Sequence, residues 1–209
     1  MNICLFNRYF FTFTVILLLT GCNRSPGNPG EHSATGSEIA HSSDDASISG
    51  LNEEESLRQS ALDGDLVKVK DLLEAGINVN APNPDGRTAL MSAAYNGHSE
   101  IVMTLIEQGA VVDRRDLMGR TALLYAATGP FPETVRILLD KSAQPNIVDS
   151  DEHFSPLMHA AAEGNLEVVK VLLEYHADPS LTDVDGDDAE SFARQAGHTA
   201  VAETLGTVR

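Results

Sequence analysis

Residues 85–113 read DGRTALMSAAYNGHSEIVMTLIEQGAVVD, residues 118–146 read MGRTALLYAATGPFPETVRILLDKSAQPN, and residues 152–180 read EHFSPLMHAAAEGNLEVVKVLLEYHADPS. Thr88, Thr121 and Ser155 fall 33 and then 34 residues apart. The pairs Ala93-Ala94, Ala126-Ala127 and Ala160-Ala161 keep that register, and so do Leu105-Ile106, Leu138-Leu139 and Leu172-Leu173. A period of roughly 20–50 residues marks a stack of units, each too small to bury its apolar face alone.

Each unit reads as two helices. Thr88, Thr121 and Ser155 stand where an N-cap is wanted, so their hydroxyls can accept from the first orphan N–H groups. The paired alanines let neighbouring first helices approach closely. Gly97 and Gly164 turn the chain into second helices whose apolar residues have helical spacing: Ile101, Val102, Leu105 and Ile106, then Val168, Val169, Leu172 and Leu173. Gly76 and Gly109 fit the left-handed residue that ends a helix. Ser142 and His176 take that place in the next two units, at the cost of a Cβ, and Pro145 and Pro179 bar any continuation.

These positions resemble the ankyrin repeat, a unit of about 33 residues with a G-x-T-P-L signature, two helices and a hairpin. The resemblance implies a mainly α solenoid of helix-loop-helix units with short β-hairpin tips. About five repeats are expected, over residues 51–81, 82–114, 115–148, 149–181 and 182–209. The outer two are degenerate caps. In the first, Asn52 is expected to begin the helix, with Glu53, Glu54 and Glu55 opposing the dipole in its first turn. In the last, Glu190 replaces the usual buried leucine. Two departures stand out. The third repeat joins its helices through Gly129-Pro130-Phe131-Pro132, a stiffer and more apolar link in which Phe131 is open to exposure. The hairpin over Asp149–Phe154 carries one extra residue and no glycine.

Working outward from the repeats, residues 22–50 are rich in Ser, Gly, Pro and Asn without apolar period, and read as a flexible linker. Its r.m.s. reach is roughly 30 Å. Before it lies the most apolar run of the chain, Phe10–Leu19, ten residues behind Arg8. About 20 are needed to span a bilayer, so the run is too short for that and suits a signal-peptide core over residues 1–21. Leu19-Thr20-Gly21-Cys22 closes it and resembles a bacterial lipobox. That resemblance implies diacylation of Cys22, which becomes the mature amino terminus. The alternatives are a plain secretory signal with a chance cysteine, or an uncleaved interfacial anchor. Cys4 and Cys22 are the only cysteines, so the mature chain is expected to hold neither free thiol nor disulfide. Asn23, in place of an Asp, favours the outer membrane over the inner.

No chemistry of catalysis is expected. His98 and His198 follow the inter-helix glycine and read as structural, while His159 reads as groove lining. There is no nucleophile elbow, no H-E-x-x-H and no phosphate loop. Asp183-Val184-Asp185-Gly186-Asp187-Asp188 approaches a calcium loop, but its sixth position is Asp188 and its twelfth Arg194, so a hairpin tip is the better reading. The net charge is −17, and −18 once Arg8 leaves with the signal, which argues against nucleic acid. No enzyme, metal or cofactor is expected.

Ankyrin arrays bind proteins through hairpin tips and the concave face of their first helices, so the resemblance implies a protein partner, basic if the acidity serves binding. The matching residues are Asp85, Arg87 and Tyr95, then Leu117, Met118 and Arg120, then Asp151, His153 and Phe154, and Asp185 with Asp187. The expectation is a monomeric lipoprotein of the cell envelope acting as an adaptor. The alternatives are an immunity-type inhibitor of a toxic periplasmic enzyme, or an accessory factor for a periplasmic enzyme.

Overall fold

The computed structural model describes residues 44–208, with side chains from 53 onward. Cys22, the signal segment and most of the linker lie outside the described residues. Ten helices are described: α1 Asp44–Asp63, α2 Leu66–Glu74, α3 Ala89–Tyr95, α4 Ser99–Glu107, α5 Ala122–Ala127, α6 Pro132–Asp140, α7 Pro156–Ala162, α8 Leu166–Glu174, α9 Ala189–Gln195 and α10 Thr199–Gly206. They form five antiparallel pairs. The first helices α1, α3, α5, α7 and α9 pack in one row and the second helices in another. The mainly α repeat architecture is therefore the one expected. Among the described residues no helix is long and apolar enough to cross a membrane.

The caps come from the residues that the period singles out. The Thr88, Thr121 and Ser155 hydroxyls accept from the backbone N–H of Met91, Leu124 and Met158. Asp188 does the same for Ser191 in the last repeat. All six paired alanines are completely buried, which is what lets α3, α5 and α7 stack at close range. Val69, Val102, Leu105, Val135, Leu138, Val169 and Leu172 form the opposing half of the core.

Two corrections concern the ends of elements. Described from Asp44 to Asp63, helix α1 takes in residues 44–50, and Asn52 lies inside it instead of capping it. The tips are also too short for strands. Among the described residues they show a single isolated bridge, Thr182 with Asp188.

What replaces a sheet is a file of side-chain and backbone clamps. Each tip is closed by one side chain at its start; the sequence reading placed Asp149 and Asp183 in tips but singled out neither Asn83 nor Asp116. Asn83 Oδ1 accepts from the N–H of Asp85 and Arg87, Asp116 Oδ1 from Met118 and Arg120, and Asp183 Oδ1 from Asp185 and Asp187. Asp149 closes its tip one residue further on, through Glu152 and Phe154. The extra residue is absorbed by His153, whose φ of +62° fills the left-handed position held elsewhere by Gly86, Gly119 and Gly186. Single backbone bonds then link tip to tip: Leu117 N–H to Asp85 C=O, Ser150 to Met118, and Val184 to Glu152.

Phe131 is not at the surface. It is half-buried, and its ring lies where any Cβ on Gly97 or Gly129 would stand. The rings of His98 and His198 cover Gly64 and Gly164 in the same way. Each histidine also sets Nε2 3.0 Å from a carbonyl of the preceding repeat, Leu62 or Ala162. Phe131 keeps the cover and gives up that contact.

Candidate functional site

The tips follow one another along the stack, joined by single backbone bonds, beside the row of first helices. Leu117, 75% exposed, and Met118, 43% exposed, project from the second tip, directly beyond the buried Thr121 and Leu123. Asp85, Asp151, His153 and Asp185 are exposed on the other tips, while Arg87, Arg120, Phe154 and Asp187 are half-buried at their bases. Tyr95 ends α3 with 44% of its surface open. Two clusters take in four of these residues, Arg87, Tyr95, Arg120 and Phe154, and leave the others apart.

The first is centred on Tyr125, a nearly buried residue of α5 that sequence reasoning missed. Its hydroxyl donates to Asp116 Oδ2 at 2.7 Å. The Arg120 guanidinium reaches the same carboxylate at 3.0 Å and lies 5.0 Å from the Tyr125 ring centre. Arg87 lies 5.6 Å from that centre. Tyr95 meets the ring edge-on, with centroids 6.1 Å apart. Burial pushes the Asp116 carboxyl up, but the hydrogen bonds from Tyr125 and Arg120 and the Arg120 charge outweigh it and hold the group below its ordinary value. Burial, followed by the bond to Asp116, pushes the Tyr125 phenol well above its usual range.

The second cluster is aromatic. Phe154 stands edge-on to His159 at 5.4 Å and to Phe192 at 5.0 Å. Burial lowers the His159 pKa to about 4; Asp149 opposes that shift and the Arg120 charge adds to it. His159, half-buried on α7, is thus neutral at ordinary pH.

Ser92, Tyr125, His159 and Phe192 occupy one position, four residues past each cap. That shared register was the signal available for Tyr125 and Phe192. The tip anchors Asn83, Asp116, Asp149 and Asp183 recur at intervals of 33, 33 and 34 residues and could have been found the same way. In the last repeat Phe192 replaces the tyrosine that would donate, so Asp183 Oδ2 is buried without a partner. Asp183 Oδ1 is occupied by its own tip, which supports reading this acidic stretch as a hairpin. Among the described residues no group of His, Cys, Asp or Glu could hold a metal ion.

A family model described as ankyrin repeats, in three copies, matches residues 57–149 and again 132–206. No curated protein matches the chain.

Proposed function

The chain belongs to the ankyrin-repeat family, and from that premise we propose a lipid-anchored protein of the bacterial cell envelope whose groove binds a protein partner. The observation that carries the binding reading is the second tip. Leu117 and Met118 hold a large apolar surface in water beside the Tyr95–Tyr125 pair, on a scaffold already braced by the Asp116 network. Exposed apolar residues on a rigid frame are the usual anchors of an interface. The net charge of −17 over the whole chain favours a basic partner, because opposite fields speed encounter. The anchor rests on Leu19-Thr20-Gly21-Cys22 behind a short apolar run: two acyl chains hold a protein stably to a membrane where one does not.

Capture of cross-linked partners by the full chain from envelope extracts tests the binding reading; loss of the captured protein with Leu117→Asp and Met118→Asp is expected. The anchor has its own test. Cys22→Ala is expected to abolish labelling by palmitate and to leave the precursor unprocessed. Equal label on variant and parent would remove the lipid from this account.

A further inference from the structure

Arg87 and Arg120 occupy the same place in successive repeats, at the base of a tip and against the Tyr125 ring. Their electrostatic surroundings differ. Arg120 is paired with Asp116, the anchor of its own tip. The anchor of the first tip is Asn83, whose neutral oxygen accepts from the backbone of Asp85 and Arg87. No described residue accepts from the Arg87 guanidinium or pairs with its charge, and its Nε is sealed from water with its donor unmet. A desolvated donor without an acceptor is costly, and a charged one more so. The residue as a whole is half-buried, and both it and the exposed Tyr95 lie against the Tyr125 ring.

Resting on the groove reading above, we propose that Arg87 is the receptor for a carboxylate side chain, Asp or Glu, of the bound partner segment. A planar guanidinium takes a carboxylate in a two-pronged arrangement, and the partner's acid supplies the charge that Asp116 supplies to Arg120. The chain as a whole is strongly acidic, so its long-range field opposes a bare anion. The segment that fits therefore carries one acid among neutral or basic residues, with the acid set between Tyr95 and the first tip.

The test uses the full chain, 15N-labelled in detergent micelles, and follows the Nε–H resonances of Arg87 and Arg120. Acetyl-Lys-Glu-Lys-amide is titrated to millimolar concentration beside its Gln counterpart and beside sodium acetate. The Glu peptide should move the Arg87 resonance toward the position of Arg120, while the Gln peptide leaves it in place and Arg120 does not respond. Asn83→Asp copies the anchor of the other tips, so its fold is expected to hold, as a dichroism spectrum checks. In that variant the Arg87 resonance should already sit near that of Arg120 and ignore the peptide. An unmoved Arg87, equal responses to Glu and Gln, or an unchanged response in Asn83→Asp would overturn the assignment. Acetate acting as strongly as the peptide would make this a small-anion site and overturn it too. Partner capture that still depends on Leu117 and Met118 would then leave the groove reading standing without this subsite.

Discussion

His159 stands four residues past its helix cap, half-buried and edge-on against Phe154, and is the group whose titration the fold should report. Its pKa falls from about 6.5 in the unfolded chain to about 4 in the fold. Between those values the unfolded chain binds the proton and the folded chain does not. Stability is therefore full above about pH 6.5 and is lost as pH falls toward 4, by up to about 3 kcal/mol. Asp116 acts lower down: its depressed carboxyl contributes stability above its unfolded value of 3.8 and loses it only as pH falls through the folded value. Urea unfolding at pH 7, 5.5 and 4.5 should show the first loss in the parent and almost none in His159→Phe. A slope that survives the substitution would assign it elsewhere. His159 itself was legible as groove lining, but its Phe154 and Phe192 neighbours were not read as one cluster. They come from different repeats, and a one-dimensional reading does not pair side chains across them. The same limit hid Tyr125, whose acceptor and cations sit on two separate tips.

At the scale of the element, the third repeat, residues 115–148, is the weak link of the stack. Ser142 ends α6 at a φ of +69°, where Gly76 and Gly109 serve the two preceding repeats without a Cβ. That conformation costs a non-glycine residue roughly 1 kcal/mol. Both neighbours of this repeat are also tied less firmly. Phe131 cannot make the carbonyl contact that His98 and His198 make, and Asn165, at the matching place in the fourth repeat, leaves its Nδ2 buried and unpaired. In a nearest-neighbour array such a unit opens first. Amide exchange should be faster over residues 128–150 than over residues 86–109, and Ser142→Gly should narrow the gap while raising stability by about 0.5–1 kcal/mol. Uniform protection would contradict this. The caps, the alanine stack and the left-handed serine were readable because each is a local requirement of backbone geometry. The reach of α1 was not: Asn52 is a good cap by type and Gly50 a poor helix former, yet the helix runs through both. The tips showed hairpin chemistry without strands, because the Asn and Asp anchors satisfy the turn amides that a ladder would otherwise use.

At the scale of the whole molecule, an acidic body presents one strongly apolar tip, and the two features can be separated by experiment. Leu117→Asp with Met118→Asp adds two negative charges to a chain already at −17. If the partner is basic and held by charge alone, the double variant should bind it no worse. If the tip is an apolar anchor, affinity should fall by about 2 kcal/mol or more, roughly thirtyfold. The second outcome is expected, since Leu117 lies 75% exposed over a rigid base formed by Thr121, Leu123 and the Asp116 network. The fold should be indifferent, because exposed substitutions usually stay within about 0.5 kcal/mol. Parent binding should also weaken with salt, since screening shortens the reach of the acidic field to about 8 Å at physiological ionic strength. Leu117→Ser with Met118→Gln, which leaves charge unchanged, should lose about as much affinity as the Asp pair and show the same salt dependence as the parent. Calorimetric titration against the captured partner, with thermal melts of each variant, measures all of this. Undiminished affinity in both double variants, with unchanged melts, would place the contact surface away from this tip.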